Sequence, residues 1–203
     1  MRSLIFAIIC VLATAAGATD RIAKIDPGAY SDEQKIAAKE FEDARKVPIF
    51  GPFELLINSP HLMTQARAMG DYLRYKSSIG NKLSEFVILI IAREWTQDFE
   101  WSVHFPIAIR EGIKQDVVQD IEQGKRPKNM SEDETIIYDF VMELQRNHQV
   151  SEDTFNSAKK HFGENGIIDI GGIMGYYTLL AMELNAAQYP TPGEAKRLPR
   201  FPN

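Results

Sequence analysis

From Ser31 onward, apolar positions recur at helical spacing and are separated by short polar breaks, so the chain reads as a succession of α-helices. Ser31 with Gln34 has the form of a capping box ahead of Ile36, Ala37, Ala38 and Phe41, which predicts a peripheral amphipathic helix. Ser59 followed by Pro60 predicts a second helix start, with Leu62, Ala66, Met69 and Leu73 as its apolar stripe and a break over residues 77–81. Residues 86–92 are apolar at every position, so periodicity does not separate a buried strand from a buried helix. No other segment alternates as a partner strand would, and an unpaired strand leaves its backbone unsatisfied; a helix of about 15 residues is therefore selected. Residues 99–112 predict another helix, with Pro106 placed to kink it or delay its start.

Gln123-Gly124-Lys125-Arg126-Pro127 reads as an internal loop. Ser131 with Glu134 forms a second capping box before Ile136, Ile137, Phe140, Val141 and Leu144, and Ser151 with Glu152 and Asp153 opens a short helix. Residues 167–189 are apolar and carry Gly171, Gly172 and Gly175, small residues that let helices approach closely. Asp169, Glu183 and Asn185 interrupt that stretch and argue against a membrane span. Pro190, Pro192, Pro199 and Pro202 predict an extended tail, either wrapped on a neighbouring subunit or mobile. The fold class is all-α, a compact helical bundle.

Length and charge narrow the classes. With 203 residues the chain supports one ordinary core, and 23 basic against 28 acidic residues give a net charge of -5. That balance lacks the cationic surplus of a phosphate-binding surface, so no nucleic-acid partner is expected. Arg2, the apolar residues 4–16 and the small residues Ala16-Gly17-Ala18 have the form of a signal peptide over residues 1–18, cleaved after Ala18. The expected location is periplasmic or secreted, with no membrane association after cleavage. Cys10 is the only cysteine, so residues 19–203 make no disulfide, thiolate metal site or cysteine nucleophile. The expected division is a segment with a peripheral helix over 19–46, a helical domain over 47–189 and the proline-rich tail over 190–203.

The polar groups that carry chemistry sit in the two central helices. Glu100 and His104 are i, i+4 neighbours on one helix face, with Trp101 three residues before the histidine, and Glu85 opens the apolar helix. A carboxylate beside an imidazole orients the ring and raises its basicity, a pairing suited to proton transfer near neutral pH. The same spacing also occurs in solvated surface pairs, and Glu85 also suits a helix N-terminus through the dipole. Arg93 is a candidate for a substrate carboxylate, or pairs with Glu94 or Glu100 at the surface. Tyr176 and Tyr177 are core aromatics or pocket walls.

The apolar run 83–92, then Arg93-Glu94-Trp95, then Phe99-Glu100-Trp101-Ser102-Val103-His104, resembles the signature of the carboxymuconolactone decarboxylase and alkylhydroperoxidase-D-like superfamily. Flanking matches are Gly51-Pro52-Phe53 with Ser59-Pro60, Tyr138-Asp139-Phe140 with Glu143-Leu144, and Gly175-Tyr176-Tyr177 through Asn185, so the resemblance covers residues 47–192. In the peroxidase branch a glutamate is followed twelve and fifteen residues later by two cysteines, and four residues after those by a histidine. Glu85 and His104 fall at the glutamate and histidine positions, but Gln97 and Glu100 stand where the cysteines would. Peroxide reduction requires a thiolate that cycles through sulfenic acid, so thiol peroxidase activity is not expected. The Glu-Trp-x-x-His form is similar to the decarboxylase-like branch, which implies a helical bundle of the carboxymuconolactone decarboxylase type assembled as a homo-oligomer, a trimer or hexamer.

What the resemblance implies for function is a cofactor-free lyase or isomerase acting on a small carboxylic acid or lactone. His104 would be the general acid or base, Glu100 would orient and tune it, and Glu85 would complete the polar cluster, with Trp101, Arg93 and Tyr177 as substrate-binding candidates. Two other readings use the same residues. One is a metal-dependent enzyme with Glu85, Glu100 and His104 as ligands. The other is a non-catalytic helical protein that binds a hydrophobic acid or a partner in the inter-helix pocket.

Overall fold

A computed structural model of the chain describes residues 21–193, 195 and 197–201; the expected signal peptide lies outside them. The described residues contain no strand and fold into a compact set of α-helices: α1 (Asp32–Arg45), α2 (Pro52–Leu56), α3 (Pro60–Tyr75), α4 (Gly80–Glu94), α5 (Asp98–Arg110), α6 (Gln115–Glu122), α7 (Glu132–Asn147) and α8 (Glu152–Ala187). A 3-10 turn over Pro27–Ala29 precedes them.

The ambiguous apolar run is α4. Every residue from Leu83 to Arg93 is buried, which is what a helix without a polar face requires, and α4 accordingly packs against α3, α5, α6, α7 and α8. Both capping boxes form: Ser31 and Gln34 exchange hydrogen bonds at the start of α1, and Ser131 and Glu134 do so at α7. Pro60 occupies the first turn of α3 as expected, but the Ser59 side chain makes no capping bond; its carbonyl instead accepts the Met63 N–H at 2.9 Å.

Helix α5 starts on time despite Pro106. The Gln97 side chain caps it, accepting from the N–H of Phe99 at 2.6 Å and of Glu100 at 3.3 Å, and the helix runs through the proline to Arg110. The short helix after Ser151 and the apolar stretch beyond it join as α8, interrupted at Gly163, whose φ of 67° is left-handed backbone that favours glycine. Asp169, inside the apolar part, is buried and accepts hydrogen bonds from the Ser78 backbone and hydroxyl, both at 2.7 Å, tying α8 to the turn before α4.

The proline-rich tail is extended and, where it is described, packs against its own chain. Leu198 is buried in the core cluster and its N–H donates to Asp98 at 2.9 Å, Arg200 grips Asp98 at 2.6 Å, and Arg93 donates to the Pro199 carbonyl at 2.9 Å. The tail is thus laid across the corner between α4 and α5 of its own chain.

Candidate active site

Helices α3, α4, α5 and α8 converge on His104. The imidazole Nδ1 lies 2.6 Å from Glu85 Oε2, and Nε2 lies 3.3 Å from Glu100 Oε2. All three residues are 3–4% exposed, so the cluster is buried rather than a solvated surface pair. Glu85 stands beyond the first turn of α4, which begins at Gly80, so the helix dipole does not account for it; its second oxygen takes an Arg74 guanidinium hydrogen at 3.3 Å. Glu100 does stand in the first turn of α5, where the dipole favours a carboxylate.

The electrostatics follow from this packing. Burial opposes a charge on the His104 ring, but hydrogen bonding and charge from Glu100 and Glu85 outweigh it, and the imidazole pKa stands above its ordinary value. When protonated, the ring has one N–H for each carboxylate. The Tyr177 ring meets His104 edge-on at 5.1 Å, and burial pushes the Tyr177 phenol well above its ordinary pKa, so it stays protonated. Tyr176 stands edge-on to Tyr177 at 5.2 Å, and its phenol is likewise raised by burial.

Glu100, His104, Tyr176 and Tyr177 face a small cavity of about 30 Å³ that Arg45, Phe50, Pro52, Phe53, Arg74, Phe99, Val103 and Leu180 complete. Glu85 does not line it. Of the two carboxylates on the imidazole, Glu100 borders the cavity and Glu85 does not, and the shorter of the two contacts is the one to Glu85. That distribution differs from the one i, i+4 spacing favours, in which Glu100 orients the ring.

Two expected site residues lie elsewhere. Arg93 is eight residues beyond Glu85 on α4, about 12 Å along the axis. Its guanidinium is spent on the Pro199 carbonyl and the Phe201 ring, at 4.5 Å from the ring centroid, rather than on Glu94, Glu100 or the cavity. Trp101 is buried on another face of α5, stacked on Phe105 with centroids 6.3 Å apart, and lines a separate hollow with Pro106 and the α6 glutamines. The residues that sequence reasoning did not single out are Arg74 and Arg45. Arg74 left a faint signal: it is a charged residue bordering the apolar stripe of α3, next to buried Leu73.

A metal held jointly by Glu85, Glu100 and His104 does not fit this arrangement. The carboxylates flank opposite edges of the ring, so the three donors do not converge on one point, and no group of His, Cys, Asp and Glu side chains among the described residues is placed to hold an ion. No known family model matches the chain, and no curated protein matches it.

Proposed function

We propose that the Glu85–His104–Glu100 cluster moves a proton to or from carbon, and that the protein is a cofactor-free lyase or isomerase of the carboxymuconolactone decarboxylase type, acting on a small carboxylic acid or lactone. The observation that supports this most strongly is the doubly held, buried imidazole with one edge on a cavity. In a decarboxylation the C–C bond to the carboxylate breaks, carbon dioxide leaves, and the electron pair passes into an adjacent carbonyl as an enolate. In its protonated form His104 donates its Nε2 proton to carbon and afterwards recovers a proton from water. Glu85 holds the ring in place and stabilises its charge from behind, while Glu100 yields the Nε2 proton to the substrate. Isomerisation of a related acid uses the same groups, with the proton removed at one carbon and returned at another. Tyr177 and Tyr176, kept neutral by burial, are donors toward a developing enolate oxygen. A homo-oligomeric ring, export through residues 1–18 and action outside the cytoplasm complete the proposal.

Carbon dioxide release and solvent-deuterium incorporation, measured over a panel of carboxylated lactones and β-keto acids, test the assignment. Wild type turns over at least one class, and His104→Gln, folded by circular dichroism, loses roughly 10²–10⁴-fold, the usual contribution of a positioned acid or base. Undiminished turnover in His104→Gln contradicts it. Ligand affinity without turnover, surviving changes at both Glu100 and His104, replaces it with a binding protein.

A further inference from the structure

The cavity beside His104, at about 30 Å³, has room for water and nothing larger. Organic ligands occupy pockets of roughly 300–1,000 Å³. An open groove of about 720 Å³ adjoins it, and Arg45, Phe50 and Arg74 line both spaces, so these three side chains are the partition between them.

The chemistry of the groove is uneven. Three guanidinium groups, Arg45 from α1 with Arg67 and Arg74 from α3, share it with a single carboxylate, Asp71. Arg45 and Arg67 both bond Asp71, at 2.9 and 2.8 Å, which leaves a local positive excess in a chain whose net charge is -5. These are not loose surface arginines: their side chains are 13, 19 and 15% exposed in sequence order. Arg45 is also seated over the rings of Phe41 and Phe53, and Arg74 over Tyr75. The Nε–H groups of Arg67 and Arg74 are buried and have no acceptor among the described residues. Guanidinium groups held in this way are arranged for a planar anion, because the fork of N–H groups matches a carboxylate. Phe50 and Tyr75, both exposed large side chains, supply apolar walls.

We propose that this groove binds a small organic anion with a flat apolar body and is the entrance through which substrate reaches His104. The carboxylate engages Arg67 and Arg74, the body lies against Phe50 and Tyr75, and rearrangement of the Arg45–Phe50–Arg74 partition joins groove to cavity. This names the substrate class of the proposed site and rests on His104 being the reacting group.

The test uses sodium benzoate as probe and benzamide as its neutral counterpart, titrated into the protein at low ionic strength by calorimetry. Benzoate is expected to bind about tenfold or more tightly than benzamide, the worth of a charge-assisted hydrogen bond. Arg67→Gln and Arg74→Gln are each expected to weaken benzoate by a similar factor without changing benzamide. Arg67 does not touch Glu85, so Arg67→Gln keeps the test decisive should Arg74→Gln misfold. His104→Gln keeps the benzoate affinity. No benzoate binding at millimolar concentration, equal affinity for the two probes, or benzoate affinity unchanged in Arg67→Gln overturns the proposal. Affinity lost in His104→Gln but kept in both arginine variants places the anion in the buried cluster, which removes the groove and leaves the acid–base reading standing. The converse, arginine-dependent binding with turnover insensitive to His104, leaves the groove and removes that reading.

Discussion

His104 is the residue on which the molecule concentrates charge. A buried imidazolium between two carboxylates is stable only as a set: removing the cation strands two acids, and removing one acid strands the rest. The sign of the pH dependence follows from the raised pKa. A group whose folded pKa exceeds its unfolded value of about 6.5 contributes stability that is complete below pH 6.5 and is lost as pH rises through the folded pKa. The difference in melting temperature between wild type and His104→Gln is therefore expected to be largest near pH 6 and to shrink toward alkaline pH, measured by thermal denaturation at fixed ionic strength. A difference that grows with pH contradicts the raised pKa. At this scale the sequence was only half legible. Glu100 and His104 announce themselves because both stand on one helix, where i, i+4 spacing is visible in the chain. Glu85 was visible as the polar residue opening an apolar helix, but only the family resemblance joined it to His104, and Arg74 and Arg45 reach the site by tertiary packing, which no local spacing records.

At the scale of elements, the site depends on how closely α3 and α8 approach. Gly70 on α3 faces Tyr176 of α8: a Cβ there would collide with the Tyr176 hydroxyl and lie 2.7 Å from its Cζ. Tyr176 is buried against Tyr177 and faces the cavity, so it has little room to retreat. Gly70→Ala is expected to cost about 1–3 kcal/mol in denaturant unfolding, the usual penalty of overpacking, and to lower turnover or ligand affinity by displacing Tyr176 into the site. An alanine variant as stable and active as wild type contradicts that packing. The long helices were legible because their caps and stripes extend over several turns: α1 and α7 through reciprocal capping boxes, α4 through the absence of any partner for a strand. The five-residue α2 and eight-residue α6 span too few periods to stand out, although α6 buries Val117, Val118 and Ile121. Pro106 was an ambiguous sign: Gln97 caps the start of α5, and the helix runs through the proline to Arg110.

Across the whole molecule, the ordered tail contacts and the local charge excess are both products of the fold. The tail clamps the corner between α4 and α5 through Asp98, Arg200 and Arg93, fixing the far end of the helices that carry Glu85 and His104. The basic groove is separated from His104 by the packed side chains of Arg45, Phe50 and Arg74. Composition alone hides this arrangement, because a net charge of -5 averages over a local positive excess that only the fold assembles. The cluster exists only when α3, α4, α5 and α8 are packed together, so the state of one ring reports on the entire account. The decisive measurement is a nitrogen-detected NMR titration of the His104 imidazole in the intact protein, beside Glu85→Gln. The account predicts that His104 titrates above the ordinary value of about 6.5, with protons on both ring nitrogens below that midpoint, and that Glu85→Gln moves the midpoint down. A neutral single tautomer at pH 7, titrating at or below the ordinary value and indifferent to Glu85, would contradict it.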